Sequence, residues 1–265
     1  MTRVWLRVGA LALVVLGVFV GLTVYFSSEQ VPPCLVSGTE RWRPPSGRVT
    51  HRYEVVVVDR TACFFTIDEH QKLVGTLPIS QAKWLAAALP AGADTLTVDD
   101  AEHGVTYMTE RGLLGVRVLD SLSKRRLYVT QFKGFTWNPR FGPDPPSHGL
   151  SLSPDRPELW VLDAPNSALH LFDVSALPDA PPRPIGDIRL SKPISGNESP
   201  CSRACARIGS LQHSSDGRFV YVGDAGDVID TTTREAVANL PALRNSRVTI
   251  EVDWVDGKAV FPDRR

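Results

Sequence analysis

The sequence has no excess of charge of either sign. Its 265 residues contain 29 Lys and Arg and 29 Asp and Glu, so the formal net charge is +0. Proteins that bind DNA or RNA carry a surplus of basic side chains on one face. The balance of charge therefore argues against a nucleic-acid partner.

Catalytic and metal-binding signatures are missing as well. The chain has no glycine-rich phosphate loop, no G-x-S-x-G nucleophile elbow and no H-E-x-x-H motif. Its 6 histidines are scattered without the spacing of metal ligands. The adjacent carboxylates of Asp99 and Asp100 are expected to lie in a solvated turn. The sequence thus assigns no catalytic residue, no metal and no cofactor.

Long uncharged runs are absent except near the N-terminus. As a helix, residues 8–26 are long enough to cross a bilayer, which takes about 20 apolar residues. Arg3 and Arg7 precede this run, and no basic residue follows it before Arg41. The positive-inside rule therefore keeps the N-terminus in the cytoplasm and exports the rest of the chain. A cleaved signal peptide is the alternative.

These observations predict a single-pass protein of the cell membrane. Its expected parts are a cytoplasmic N-terminus with a signal-anchor helix (1–28), a linker with a first strand (29–47) and an extracytoplasmic domain (48–265).

Cysteine is scarce, with 4 residues in the chain. Outside the cytoplasm an even number of cysteines favours disulfides. Cys201 and Cys205 lie in a polar loop that a short covalent ring would order, and we expect them to be bridged. Free thiols at both positions are the alternative. Cys63 is expected to be buried in a strand rather than bridged to Cys34.

The sequence does contain an internal repeat. Alternating apolar segments recur in a fixed order, and in each unit one of them ends in an aspartate. These aspartates, at intervals of roughly 50 residues, are Asp68, Asp120, Asp173 and Asp230. A short carboxylate at this point can accept hydrogen bonds from the backbone N–H groups of a tight turn.

The repeat predicts an all-β fold, a β-propeller of four-stranded antiparallel blades. The tail is expected to form a hairpin around Asp256-Gly257, and residues 34–36 could pair with it to complete a fifth blade. We expect about five blades, with an incomplete ring of six or seven as the alternative. One helix is expected at residues 80–90, between an N-capping serine and a terminating proline.

Two segments carry a resemblance to a known family. Residues 148–175, HGLSLSPDRPELWVLDAPNSALHLFDVS, and residues 215–241, SDGRFVYVGDAGDVIDTTTREAVANLP, resemble the YVTN-type β-propeller repeat. The resemblance covers residues 48–240 and is best over 147–240. It implies a β-propeller of the kind common in exported bacterial and archaeal proteins. It implies no particular activity, because the same blade serves many functions.

The candidate binding site is the long connection between two units, residues 133–148. Trp137 and Arg140 are of the residue types most enriched in binding hot spots. With His148 they could form a polar and aromatic lip for a small ligand or peptide. For His148 the alternative is a hydrogen bond to a loop carbonyl, and for Trp137 it is packing at the end of a central channel.

Two classes of function fit these features. The first is a membrane-anchored, extracytoplasmic binding or scaffold module that presents a propeller face to a protein, glycan or small ligand. The second is an exported, metal-dependent hydrolase similar to propeller lactonases, which needs at least three acidic, amide or histidine side chains on the axis. A third hypothesis is an accessory role in a periplasmic redox system, for which no residue of the sequence gives specific support.

Overall fold

The described part of the chain is built from β-strands. The computed structural model describes residues 43, 51–58, 61–66, 70–78, 81, 97–138, 145–191, 211–223, 225–240, 243 and 248–260. These residues contain no α-helix, and no helix among them is long and apolar enough to span a membrane. The expected membrane span, residues 8–26, lies outside the described residues. So does the expected helix at 80–90, apart from Gln81.

The strands form four antiparallel sheets, as the repeat predicts. In chain order they are β1 (His51–Val58), β2 (Thr61–Thr66), β3 (Leu73–Pro78), β4 (Thr97–Asp100), β5 (Val105–Met108), β6 (Gly115–Asp120), β7 (Arg126–Gln131), β8 (Ser147–Leu152), β9 (Glu158–Asp163), β10 (Ala168–Asp173), β11 (Arg183–Arg189), β12 (Leu211–His213), β13 (Phe219–Val222), β14 (Asp227–Asp230), β15 (Glu235–Asn239), β16 (Val248–Val255) and β17 (Lys258–Val260). The first sheet has the order β17-β16-β1-β2-β3. The second, third and fourth sheets contain β4 to β7, β8 to β11 and β12 to β15, each in chain order.

Strand β9 shows how the sequence specifies these sheets. Its residues 159–162, Leu-Trp-Val-Leu, are all fully buried, as expected of a short apolar strand covered on both faces. Successive side chains of a strand point to opposite faces. Leu159 and Val161 accordingly pack with residues of the second sheet, and Trp160 and Leu162 pack with residues of the fourth. The third sheet therefore lies between the second and the fourth.

The fourth sheet is joined to the first by polar contacts. The Glu251 carboxylate in β16 accepts hydrogen bonds from the backbone N–H and the hydroxyl of Ser215, the latter at 2.7 Å. The Tyr221 hydroxyl in β13 donates to Gln71 Oε1 at 3.3 Å. Both tyrosine and glutamine are buried. Contacts thus join the sheets in the order second, third, fourth, first.

The repeated aspartates make the turn contacts that the sequence predicts. Asp120 accepts hydrogen bonds from the backbone N–H and the hydroxyl of Ser123, and these bonds lower the pKa of its carboxyl. Asp230 accepts the backbone N–H of Thr233 in the equivalent turn. The residue four positions after the aspartate has a positive φ in both turns, 56° at Lys124 and 60° at Arg234.

Asp173 makes a related set of contacts in a longer connection. It accepts the backbone N–H of Ser175 at 2.9 Å and a hydrogen bond from the guanidinium of Arg183 at 2.6 Å. Hydrogen bonds from Ser175, and then from Arg183, lower the pKa of Asp173 to about 2. The remaining repeated aspartate, Asp68, lies outside the described residues.

The sheets share a second repeated feature, which the sequence analysis did not predict. In each sheet, the pairing of the last strand with its neighbour shifts register at one point. The four shifts fall at Phe64/Phe65, Val118/Leu119, Leu171/Phe172 and Val228/Ile229. A bulge bends a strand and increases its twist, so the outer strand of each sheet is bent at the same place.

The tail forms the predicted hairpin, but this hairpin is not a fifth sheet in the described part of the chain. Asp256 and Gly257 both have positive φ, 51° and 73°, as a tight hairpin turn requires. Strand β16 pairs with β1 over seven positions, from His51 opposite Trp254 to Val57 opposite Val248. The prediction of a separate fifth blade is therefore wrong for these residues. An isolated hairpin is marginally stable in water, whereas the eight-residue edge of β1 gives it a sheet to extend.

Candidate functional site

Polar side chains are buried along the first strands of the sheets. Strand β8 lies against both β4 and β12. The buried polar residues of these three strands and of β16 are Asp100, Ser147, His148, Ser151, His213 and Glu251. Because a buried polar group costs free energy unless it is hydrogen-bonded, the partners of these residues show what they do.

Ser151 of β8 and His213 of β12 form a hydrogen-bonded pair. The Ser151 Oγ lies 2.8 Å from His213 Nδ1 and accepts the backbone N–H of His213 at 3.0 Å. Burial lowers the pKa of His213 to about 3, so the ring is neutral at physiological pH. A serine hydroxyl next to a neutral imidazole resembles the nucleophile and the general base of a catalytic site.

Two features indicate that this pair is a structural contact between two sheets and not part of a catalytic triad. The His213 ring is only 6% exposed, and its Nε2 has no hydrogen-bond partner among the described residues. Within the described part of the chain, no carboxylate orients the imidazole as the acid of a catalytic triad does. The pair joins the third sheet to the fourth through their first strands.

Asp100 is buried, contrary to the expectation of a solvated turn. It ends β4 with 2% of its surface exposed, whereas Asp99 is exposed. Neighbouring residues of a strand point to opposite faces, which is why only one of the two is buried. The Asp100 Oδ2 accepts a hydrogen bond from the Tyr107 hydroxyl at 2.8 Å and lies 2.8 Å from His103 Nδ1. Burial, assisted by Asp100, raises the pKa of Tyr107.

His170 of β10 lies between two carboxylates. Its Nε2 is 3.0 Å from Asp163 Oδ2, and its Nδ1 is 2.6 Å from Asp187 Oδ1. His170 is 3% exposed and Asp163 is fully buried, whereas Asp187 is 56% exposed. An ionised carboxylate only accepts hydrogen bonds. Each ring nitrogen of His170 therefore faces a carboxylate oxygen as its hydrogen-bond partner.

The His170 cluster, which we define as His170, Asp163, Asp187 and Asn166, holds the segment that follows β7. The rings of Phe132 and Phe135 lie 3.9 Å and 4.5 Å from the His170 ring, centroid to centroid. The Asn166 side-chain amide donates to both Asp163 carboxylate oxygens and, at 3.1 Å, to the Thr136 carbonyl. We call residues 132–138 the aromatic segment; this segment is the start of the predicted binding loop.

The three predicted site residues differ in burial and in whether the structure describes them. Trp137 is half-buried, and its indole Nε1 has no hydrogen-bond partner in the described part of the chain. His148 is fully buried, and its Nδ1 lies 3.2 Å from the Pro145 carbonyl oxygen, which matches the alternative considered for it. Arg140 lies outside the described residues. The structure therefore does not bring His148 to an exposed lip beside Trp137.

The structure tests neither the expected disulfide nor the expectation that the chain has no assigned metal. Cys201 and Cys205 lie outside the described residues, and their bridge stays a prediction. Within the described residues, no group of three or more His, Cys, Asp or Glu side chains is arranged to hold a metal ion.

Sequence reasoning missed the His170 cluster. Once β9 and β10 are aligned, the register places Asp163 opposite Ala168 and His170 opposite Val161. Asp163 and His170 then lie two positions apart on the same face of the hairpin. Asp187 is directly opposite His170 on β11. The signal that could have found the cluster is a histidine two residues into a strand whose preceding turn begins with Asp-x-x-Asn.

Comparisons with known proteins give little similarity. The chain is similar to a chain of Kuenenia stuttgartiensis hydrazine synthase, with 15% identity and a TM-score of 0.38, over 54% of this chain and 34% of that one. It is also similar to a chain in a complex of KlAtg21 with the coiled coil of AgAtg16, with 13% identity and a TM-score of 0.33, over 74% of this chain and 54% of that one. The chain spans less than two thirds of the length of either. Likenesses at this level carry no argument about function. No family model and no curated protein matches the chain.

Proposed function

We propose that the protein is a membrane-anchored, extracytoplasmic β-propeller that binds a partner through the loop at residues 133–148. The partner is a protein, a glycan or a small ligand. The observation that carries the proposal is the attachment of the aromatic segment to the His170 cluster, which holds Trp137 at the beginning of this loop.

The arrangement of the sheets supports a propeller of four blades. The second, third and fourth sheets stack face to face around two buried apolar clusters. The pairing of β16 with β1 adds a strand from the C-terminal part of the chain to the first sheet. Such a strand would act as a clasp that closes a ring. Ring closure needs a further contact between the first sheet and the second.

A pre-ordered loop is suited to binding. Ordering a loop on association costs free energy, and a loop already held in place avoids part of this cost. The Thr136 carbonyl is fixed by Asn166, and Phe135 is packed on the His170 ring. Trp137 follows directly and is half-buried, so part of its side chain remains exposed.

The proposed location rests on the sequence. The uncharged run at residues 8–26, preceded by Arg3 and Arg7, predicts that the domain lies outside the cytoplasm. A reporter enzyme that is active only outside the cytoplasm, fused after Arg265, is expected to be active. An inactive but stably produced fusion would reverse the orientation.

The binding role is tested in two stages with the full chain. A photo-crosslinking residue at position 140 traps the partner in cells, and the affinity of that partner is then measured in solution. Trp137→Ala is expected to weaken binding by about 2 kcal/mol and to leave the melting temperature nearly unchanged. The matched control is Leu122→Ala, because Leu122 is a highly exposed apolar residue of a turn in the second sheet. The control is expected to bind like the wild type.

Two results would reject the proposal. If Trp137→Ala lowers the melting temperature by several degrees while the affinity is unchanged, Trp137 only packs against the fold. If the purified full chain contains a stoichiometric divalent metal ion, the metal-dependent hydrolase is favoured instead.

A further inference from the structure

We propose that the turn between β6 and β7 docks on the anionic headgroups of the membrane in which the chain is anchored. This turn, which we call the basic turn and define as residues 121–126, has the sequence Ser-Leu-Ser-Lys-Arg-Arg. The inference rests on the proposed function for the membrane anchor alone. The docking itself follows from the exposure and the charge of the turn.

The tip of the basic turn exposes a large apolar side chain. Leu122 is 96% exposed, whereas the other exposed large apolar side chains of the described residues are 40–46% exposed. The backbone beneath the tip is fixed, because the N–H of Lys124 donates to the Asp120 carbonyl and the N–H of Asp120 donates to the Arg125 carbonyl, both at 2.9 Å. A leucine held in water gains free energy when it enters an apolar phase, and a fixed turn loses little conformational freedom on docking.

Three consecutive basic residues follow the tip. Lys124, Arg125 and Arg126 are all exposed, and none of them forms a salt bridge with another described residue. Arg125 is the smallest of several causes that lower the pKa of Asp120. Cations without a salt-bridge partner are attracted to a negatively charged lipid surface, and each of them adds to the attraction.

Two acidic side chains at the base of the turn are already occupied. The Asp120 carboxylate accepts the backbone N–H and the hydroxyl of Ser123, both at 2.7 Å. The Asp99 carboxylate accepts the Thr106 hydroxyl at 2.6 Å. These hydrogen bonds hold both carboxylates to their own sheet.

One further carboxylate lies beside the basic turn. Glu102 is exposed and belongs to the turn between β4 and β5. The backbone N–H of Ser121 joins the two turns by donating to the Gly104 carbonyl at 2.9 Å. We expect Glu102 to oppose docking on an anionic surface, so its removal is a test of the electrostatic part of the argument.

The equivalent turn of the fourth sheet lacks both the apolar tip and the unpaired cations. Thr232 stands at its tip, and Glu235 takes the place of one of the three basic residues. Its cation, Arg234, donates to the Glu158 carboxylate of the third sheet at 3.1 Å. The same backbone turn is thus a contact between sheets in the fourth sheet, whereas in the second sheet it leaves its cations to an outside partner.

An apolar tip followed by cations matches the chemistry of a bilayer surface. The apolar side chain enters the boundary between headgroups and acyl chains, and the cations stay with the phosphates. Residues 29–50, between the predicted anchor and β1, can extend to about 75 Å at most. The anchor therefore allows the basic turn to reach the surface.

The experiment places an environment-sensitive fluorescent amino acid at position 122 of the full chain. The chain is reconstituted into vesicles of phosphatidylcholine alone and into vesicles of phosphatidylcholine and phosphatidylglycerol in equal parts. The emission is expected to shift to the blue in the anionic vesicles alone, because there the probe leaves water. Salt at about 1 M, where the Debye length is about 3 Å, is expected to reverse the shift. The same probe at position 232, the exposed tip of the fourth-sheet turn, is the matched control and is expected to show no shift.

Charge variants with the probe at position 122 test the role of the cations. Lys124→Gln, Arg125→Gln and Arg126→Gln are each expected to weaken docking roughly fivefold. Glu102→Gln is expected to strengthen docking. Arg125→Glu supplies the residue that the fourth-sheet turn has at this place, so it keeps the turn intact if the glutamine variants fail to fold. It is expected to weaken docking more than Arg125→Gln.

Equal emission of the probe at position 122 in neutral and anionic vesicles would overturn the inference. A shift that is unchanged in the glutamine variants and in Arg125→Glu would do the same. In cells, a photo-crosslinking residue at position 122 is expected to couple to lipid. Coupling to a protein and not to lipid would assign the turn to a protein partner instead.

The anchor is tested separately by flotation of the full chain with neutral vesicles at high salt. A chain that does not float contradicts the anchor of the proposed function, while a blue shift with added anionic vesicles would still support the basic turn. A chain that floats without any shift contradicts the basic turn alone. The affinity of the trapped partner is measured without anionic lipid, so Leu122→Ala remains the control for Trp137→Ala.

Discussion

In the second, third and fourth sheets, the first strands bury polar side chains and the second strands bury apolar ones. In β8 and β12 the buried residues include His148, Ser151 and His213, whereas β9 and β13 bury Leu-Trp-Val-Leu and Phe-Val-Tyr-Val. The second strands have neighbours on both edges, and β9 packs against a sheet on each face. The first strands lie at one edge of each sheet, where they meet the first strands of other sheets.

The difference indicates a division of tasks between the two sets of strands. Apolar burial is non-directional and roughly proportional to area, so the second strands stabilise the stacking of sheets without fixing their exact alignment. Hydrogen bonds are directional, and a buried donor without its partner is costly. The polar first strands therefore set how neighbouring sheets align, as the bond between Ser151 and His213 does.

The strongest test of this division removes an apolar side chain from a second strand. Trp160→Ala is expected to lower the free energy of unfolding by about 3–5 kcal/mol, because it leaves a large cavity between the third and fourth sheets. Denaturant titration measures the change. Val129→Ala, on the outer strand β7 where Val129 is exposed, is the control and is expected to change stability by less than about 0.5 kcal/mol. Equal effects of the two variants would contradict the comparison.

A buried polar residue of β16, which joins the first sheet to the fourth, is tested next. Glu251→Ala is expected to cost about 1.5–3 kcal/mol, because the backbone N–H and hydroxyl of Ser215 lose a charged acceptor. The loss is measured by the same titration. Glu235→Ala is the matched control, since Glu235 is exposed on β15. If both substitutions are neutral, the contact with Ser215 does not hold the fourth sheet to the first.

The third prediction concerns the pH dependence that His213 brings to the first strands. Its pKa in the folded protein, about 3, lies below the ordinary histidine value of about 6.5. Between these values the unfolded chain binds more protons than the folded chain. Stability therefore rises with pH by up to about 1.4 kcal/mol per pH unit in this window, and it is lost as the pH falls towards 3.

The variant His213→Asn is expected to reduce this slope by the contribution of one proton. Comparing the two proteins at each pH cancels the carboxylates that titrate in the same range. Identical slopes for wild type and variant would show that His213 is not held neutral by burial.

The smallest expected effect lies in an exposed turn, away from both sets of strands. The pKa of Asp173, about 2, is expected to rise in both Ser175→Ala and Arg183→Ala, because each variant removes a side-chain hydrogen bond that lowers this pKa. Carboxyl chemical shifts in a pH titration measure this. Since the pKa is lowered in the folded state, the stabilising contribution of Asp173 is present above the ordinary value of about 3.9 and fades as the pH falls below it. A pKa that is unchanged in both variants would contradict this assignment.

The features predicted from the sequence are those with short-range causes. The strands depend on the alternation of apolar and polar residues, which is a local pattern. The turns at Asp120 and Asp230 and the hairpin at Asp256-Gly257 depend on the residues of each turn, which are neighbours in the sequence. The all-β class and the four-stranded sheets follow from these local patterns.

The features that were missed depend on contacts between distant segments. The tail is recognisable as a hairpin, but no local pattern tells which edge it will cover, and that edge proved to be β1. The His170 cluster requires the register of three strands. It also requires the segment that contains Thr136, which lies 30 residues before Asn166 in the sequence. A scattered histidine in a sequence gives no sign of such a neighbourhood.

The pairing of β1 with β16 also has a consequence for biosynthesis. The edge of β1 that pairs with β16 has no partner until the ribosome has made about 190 further residues, since β1 ends at Val58 and β16 begins at Val248. At about 5–20 residues per second this interval is on the order of tens of seconds. Contacts between such distant segments slow folding, and an unpaired strand edge is a template for aggregation. Until β16 has been synthesised, this edge of β1 is therefore open to pairing with other chains.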